Sequence, residues 1–335
     1  MKRMIASTSA PSLRAAIDPR LVLSLAAVYL IWSSTYLAMK IAIHELPPLL
    51  MASLRFAAAG LVMLLIALRR GAAWPSARDW LRVAPIGALL FLGGNGFIAI
   101  SQLSVSSGGT AVVAAMMPLW VGVLGAVYPA RRSESGALHF GGERPSKREW
   151  LSLAVGFVGI IVLMGGPSLA GEPLHIVLLI LAPGCWAFGS VLARRLVGPI
   201  GKDAFMLPAM EMLTGGVALF AVGMMRGERL PLDASATAWI SVAYLWLFGS
   251  IIGFTAYNWL LRNARPVVAT SYAYVNPILA VILGAVISGE ALGWTTVVAN
   301  VLIVGAVWLA LTRSAPTPRR APTCPAREGV TAEVA

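Results

Sequence analysis

The feature that most constrains this chain is a succession of near-chargeless apolar blocks, each about twenty residues long, joined by short connections rich in basic and turn residues. A helix of that length matches the roughly 30 Å hydrocarbon core of a bilayer. Only 12% of the 335 residues are charged and 58% are hydrophobic, whereas about a quarter of a soluble domain is charged. An ordinary water-soluble fold is therefore excluded, and little length remains for a folded aqueous domain. The runs are continuous instead of alternating every second residue, which favours helices over a transmembrane barrel.

The blocks predict ten spans, at 21–43, 48–68, 80–102, 109–127, 149–166, 173–195, 203–225, 237–261, 267–288 and 291–312. The fold class read from them is an all-α integral membrane protein with ten transmembrane helices. Residues 1–20 carry basic residues but no apolar h-region, so they read as a cytoplasmic N-terminal segment, and the first span is the expected targeting element. Residues 314–335 read as a disordered cytoplasmic tail.

The formal net charge of +12 raises the question of nucleic acid. The basic residues, however, lie between the apolar blocks, where they orient a membrane protein, and nucleic acid is not an expected partner. Alternating ten spans puts 22 of the 26 Lys and Arg on the side of both termini, three on the other side, and Arg55 inside a span. By the positive-inside rule both termini should lie in the cytoplasm, in a multi-pass protein of the cytoplasmic membrane.

The two halves resemble one another. Trp32 opens a polar stretch in span 1 and Trp186 does so in span 6; Arg55-Phe-Ala-Ala-Ala-Gly60 aligns with Glu211-Met-Leu-Thr-Gly-Gly216. Met116-Met-Pro118 matches Val275-Asn-Pro277, and Gly142-Glu143 matches Gly289-Glu290. An insertion of about a dozen residues lengthens the first half within RRSESGALHFGG, as a solvated loop. Units of five spans, an odd number, must be oppositely oriented in the bilayer, which is the inverted-repeat plan of many secondary transporters.

These motifs, with Trp32-Ser-Ser-Thr-Tyr36 and Leu54-Arg55-Phe56, resemble the EamA family of the drug/metabolite transporter superfamily. The resemblance implies a first EamA-like five-helix repeat at 21–167 and a second at 173–313. It also implies a carrier, with export of amino acids, other metabolites or drugs as the expected activity. The long loop before span 5, and Glu211 where the first repeat has Arg55, depart from a simple duplication.

The residues themselves suggest where a substrate would bind. Arg55 lies seven residues into span 2, about 10 Å deep, and Glu211 about 12 Å deep from the opposite side. Intramembrane charges are costly and usually functional, and the two differ in depth by about 8 Å, so they could share one cavity. Near the midplane stand Trp32, Asn95, Trp186, Tyr257, Asn258, Tyr274 and Asn276, all expected substrate contacts. Pro118 and Pro277 each remove a backbone donor and free a carbonyl, so helix breaks are expected there, at matching points of the two repeats. Tighter helix packing would account for the same residues without a ligand. Glycines 249 and 253, and the Ala280, Gly284, Ser288 stripe, read as close-packing surfaces.

The expected partners are a small-molecule substrate and the lipid bilayer. Protons are a candidate coupling ion through Glu211, although the same acid in a facilitator could serve only to attract a cationic substrate. No cofactor or metal is expected: GxxxxGK[ST], HExxH and CxxC are missing, and His44, His139 and His175 fall at span ends or in loops. The competing readings are an integral membrane enzyme, which would need a converging acid/base set, and a passive channel for small polar solutes, which would need rings of like groups.

Overall fold

The computed structural model describes residues 18–117, 119–120, 123–124, 147–164, 171–196, 203–231, 233–264 and 271–311, and among these the regular structure is helical throughout, with no strand. Helix α1 is Pro19–Ala42, α2 Pro48–Arg69, α3 Ala77–Ser101, α4 Ser107–Ala114, α5 Lys147–Met164, α6 Pro173–Leu196 and α7 Met206–Met225. Helix α8 runs through Ala236–Tyr244, Leu245–Ile252 and Gly253–Asn263, followed by α9 Tyr272–Ser288 and α10 Trp294–Leu311. Among the described residues six helices, α1, α2, α3, α6, α7 and α8, are long and apolar enough to cross a membrane. Shorter apolar stretches lie in α5, α9 and α10. Pro118, Gly142 and Glu143 lie outside the described residues.

The helix starts follow from local chemistry. The Asp18 side chain accepts from the Arg20 N–H with Pro19 in the first turn, and Ser76 with Asp79 closes a capping box on α3. Ser106 and Ser235 cap α4 and α8 through the N–H groups of Gly109 and Ala238. Gly71, Gly227 and Gly289 follow α2, α7 and α9 at positive φ, as left-handed C-terminal turns require. The first two stand at matching places in the two halves.

Two helices depart from simple α geometry. Residues Ala88–Gly96 of α3 and Leu245–Ile252 of α8 are π-helical, where the sequence predicts plain α-helix. Gly94 lies inside the first of these segments and Gly253 directly follows the second. A methyl on Gly94 would lie 2.7 Å from the Trp186 ring, and one on Gly253 would lie 2.5 Å from Trp32 Nε1. An indole from the other half thus packs in or beside each segment, and π-bulges commonly mark functional sites.

Helix pairing is reciprocal between the halves: α2 lies along α7, α5 along α10 and α4 along α9; α1 packs against α8 and α9, while α6 packs against α3 and α4. Small residues let the backbones approach. A methyl on Gly60 would fall 2.9 Å from the Ala209 carbonyl, and one on Gly215 would fall 2.7 Å from that of Gly87. Such contacts are the expected glue where lipid leaves helices no hydrophobic gain from association. The largest buried cluster joins α2, α3 and α7 around Phe56, Phe91, Met63, Met210 and Leu219. A second joins α4, α5, α9 and α10 around Val112, Leu163, Val281 and Ile303.

One end of the bundle is tied by side chains reaching between connections. The Glu228 carboxylate accepts the Leu49 and Leu50 N–H groups at 3.0 and 2.9 Å, filling the start of α2. Glu290 accepts those of Ser107 and Gly108 at 2.8 and 3.1 Å, at the start of α4. Glu45 accepts the Ser235 N–H and hydroxyl at 2.6 and 2.5 Å, which holds its carboxyl below the usual range. Lys40 donates to the carbonyls of Gln102 and Val105, just past the end of α3. At the opposite end Arg70 pairs with Asp203 at 3.0 Å.

Candidate functional site

The polar stretch of α1 satisfies most of its own hydroxyls. Ser34 donates to the Leu30 carbonyl at 2.8 Å and Thr35 to that of Trp32 at 2.6 Å, so these groups remain in a helix at little cost. Trp32, Thr35, Tyr36 and Met39 follow at i, i+3, i+4 and i+7, and so share one face. That face borders a cavity of about 130 Å3.

The opposite wall comes from α6, through Ala182, Pro183 and Trp186. Helix α2 contributes Arg55, α3 contributes Gly94, Asn95 and Ile98, α8 contributes Phe254, and α9 contributes Tyr272, Asn276 and Pro277. Residues around the end of α4, from Ala111 to Met117, complete the lining. Both halves of the chain therefore wall a single space.

Its aromatic frame is continuous. Phe254 stands 5.5 Å from the Trp32 ring and 6.2 Å from the Trp186 ring, centroid to centroid, and so links the two indoles. Tyr272 meets Trp32 edge-on at 5.0 Å, a favoured arrangement for aromatic pairs. The Trp32 N–H donates to the Gly249 carbonyl at 3.3 Å. On α9, Asn276 accepts from Ser33 at 3.2 Å and is 6% exposed.

Arg55 is 4% exposed. Its Nε donates to Ser250 Oγ at 2.8 Å, and its guanidinium carbon lies 4.5 Å over the Phe56 ring. A methyl on Gly249 would lie 2.9 Å from its Nη2 and 2.9 Å from Thr35 Cγ2. Glycines 249 and 253 are thus close-packing positions in a particular sense: they make room for Arg55 and Trp32, two side chains of the cavity lining.

Of the residues that the sequence singles out, Trp32, Arg55, Asn95, Trp186, Asn276 and Pro277 meet at this cavity. Tyr257 stands one layer behind it, with its ring 5.0 Å from Trp32, and Asn258 is half-buried on α8 away from the lining. Glu211 is also absent from the lining, and among the described residues it forms no ion pair with Arg55. Depth along two helices fixes height but not azimuth. The backbone of Glu211 faces Gly87 of α3, whereas Arg55 faces α8. The Tyr274 side chain lies outside the described residues, as does Pro118, and α9 is helical on both sides of Pro277.

Sequence reasoning passed over Thr35, Tyr36, Met39, Pro183 and Phe254 as site residues, whereas Tyr272, one turn before Asn276, is among the aromatic residues that the sequence places near the midplane. Helical spacing carries the signal for most of the five: the first three share the face of Trp32, and Pro183 precedes Trp186 by three residues.

The model of the EamA-like transporter family matches residues 20–165 and 173–312. The Escherichia coli K12 protein named uncharacterized inner membrane transporter YedA is 41% identical over 287 residues, covering 85% of this chain and 89% of that one. Protein PecM of Dickeya dadantii is 24% identical over 280 residues, covering 83% and 87%. A solved crystal structure shares the fold at a TM-score of 0.57 and 20% identity, over 87% of this chain and 96% of that chain. Family and relatives alike indicate a membrane transporter of small molecules rather than an enzyme, and the chain belongs to the EamA-like transporter family.

Proposed function

We propose that the chain is a secondary carrier that exports small organic metabolites, such as amino acids or drugs, across the cytoplasmic membrane by alternating access. In this reading ten spans form two inverted five-helix repeats, at 21–167 and 173–313, with both termini in the cytoplasm. The observation that carries it is a single cavity walled by both halves, with Trp32 seated on Gly253 and Trp186 on Gly94 in matching fashion. Reciprocal helix pairing supports the repeat: α2 lies along α7, α4 along α9 and α5 along α10, and α1 packs on α8 and α9 as α6 packs on α3 and α4. Unlike polar groups around one cavity suit a carrier better than a channel, which would present rings of like groups along a path.

The test is counterflow in proteoliposomes, with substrates drawn from metabolites that accumulate in a deletion strain. Unlabelled substrate on the far side should accelerate efflux of the labelled one, and flux indifferent to it would overturn the carrier. For topology, a reporter active only outside the cytoplasm and fused after Arg320 should stay silent. Proton coupling through Glu211 belongs to the same reading. It requires that Glu211→Gln lose accumulation driven by a pH gradient while keeping counterflow, and undiminished accumulation would remove Glu211 as the proton carrier.

A further inference from the structure

Arg55 is a buried cation with unused hydrogen-bond donors. Its Nε donates to Ser250, but its two terminal nitrogens form no hydrogen bond among the described residues, and it belongs to no ion pair there. The guanidinium keeps its charge at any physiological pH, and a buried charge without a partner is strongly destabilising. The side chain also lines the cavity, whose described lining includes no Asp, Glu, Lys or other Arg. Among the described residues no opposite charge faces it, so the described space carries the +1 charge of Arg55.

The remaining walls say what accompanies the complementary charge. The lining is mostly apolar and aromatic, with Trp32, Trp186 and Phe254 around the space and Asn95 and Asn276 as neutral polar groups. A cavity of about 150 Å3 holds benzene, so the 130 Å3 here limits an occupant to a body of about one ring at most. A second anionic group would find no second cation.

We infer that the substrate is a small organic monocarboxylate, whose carboxylate is held by the free edge of Arg55 and whose ring-sized apolar body lies between Trp32 and Trp186. The inference rests on the carrier reading and specifies its substrate class. The planar guanidinium suits a carboxylate because two parallel N–H donors match its two oxygens. An amine of the same shape would meet the cation without a counter-charge, and a neutral amide would gain only uncharged hydrogen bonds.

The experiment uses purified full-length protein and three probes of matched shape: benzoate, benzamide and benzylamine. Quenching of tryptophan fluorescence reports occupancy of the indole-lined space without requiring transport. Benzoate should bind about tenfold or more tightly than benzamide, with benzylamine weakest. Arg55→Gln should erase the preference for benzoate over benzamide, while Arg55→Lys, which keeps the charge but loses the fork, should retain part of it. Equal binding of benzoate and benzamide by the wild type would overturn the inference without any variant, as would an undiminished preference in Arg55→Gln. Counterflow measured in parallel separates the two levels. Arg55-dependent benzoate binding without counterflow of any carboxylate would sink the carrier reading and leave the site, whereas counterflow of neutral or cationic metabolites alone would sink the monocarboxylate and leave the carrier.

Discussion

Trp32 and Gly253 are fitted so closely that a single methyl on the glycine would lie 2.5 Å from the indole nitrogen and 3.0 Å from its Cδ1. Gly253→Ala should therefore push Trp32 into the cavity or force α8 away from α1. Overpacking of this kind costs about 1–3 kcal/mol, read as a lower thermal midpoint in detergent, and counterflow should slow at the same time. Gly305→Ala is the control, since nothing lies within 4 Å of a methyl at that position. If both variants behaved alike, the fit at Trp32 would carry no functional weight.

Asn276 offers a sharper separation of site from scaffold. It is nearly inaccessible, lines the cavity and accepts from Ser33 across the α1–α9 contact. Asn276→Ala should lower transport severalfold more than it lowers the amount of protein in the membrane. Parallel losses, measured by immunoblot and counterflow on the same vesicles, would show that the residue only holds α9 against α1.

Glu290 should matter for stability. It fills two N–H groups at the start of α4, and removing a cap of this kind costs about 0.5–2 kcal/mol. Glu290→Ala should lower the thermal midpoint accordingly, while Glu290→Gln, which keeps one acceptor oxygen, should lower it less.

The pH dependence of stability should reveal Glu45. Hydrogen bonds from the Ser235 hydroxyl and N–H depress its pKa below the ordinary 4.5. A depressed carboxyl contributes stability that is present above the unfolded value and is lost as pH falls through the folded value. The difference in thermal midpoint between wild type and Glu45→Gln should be constant above about pH 5.5 and should close as the pH drops below 4.5. A difference that grew on acidification would contradict the assignment.

Hydropathy made the long helices legible, because a bilayer demands an uninterrupted apolar run for each crossing and the chain supplies it. The π-helical parts of α3 and α8 were not legible, since hydropathy records which residues are apolar and not which carbonyl an N–H meets. An indole from the other half presses on the backbone at Gly94 inside the first and at Gly253 just past the second, a contact that no local pattern encodes. The site divided along the same line. Trp32, Trp186, Asn95 and Asn276 could be picked out as polar or amphipathic groups at mid-span. Glu211 was picked by the same criterion but stands outside the lining, because depth is a one-dimensional coordinate and a cavity also requires the right bearing around the helix axis.

The carboxylates of Glu45, Glu228 and Glu290 each join a connection in one half of the chain to the start of a helix in the other. A hydrogen bond tolerates only a few tenths of an ångström of stretch before it weakens. Sliding one half past the other by much more than that would break all three contacts within the same small displacement. Parting at this end should therefore be cooperative, an all-or-none event with a threshold, and not a gradual loosening of one helix at a time.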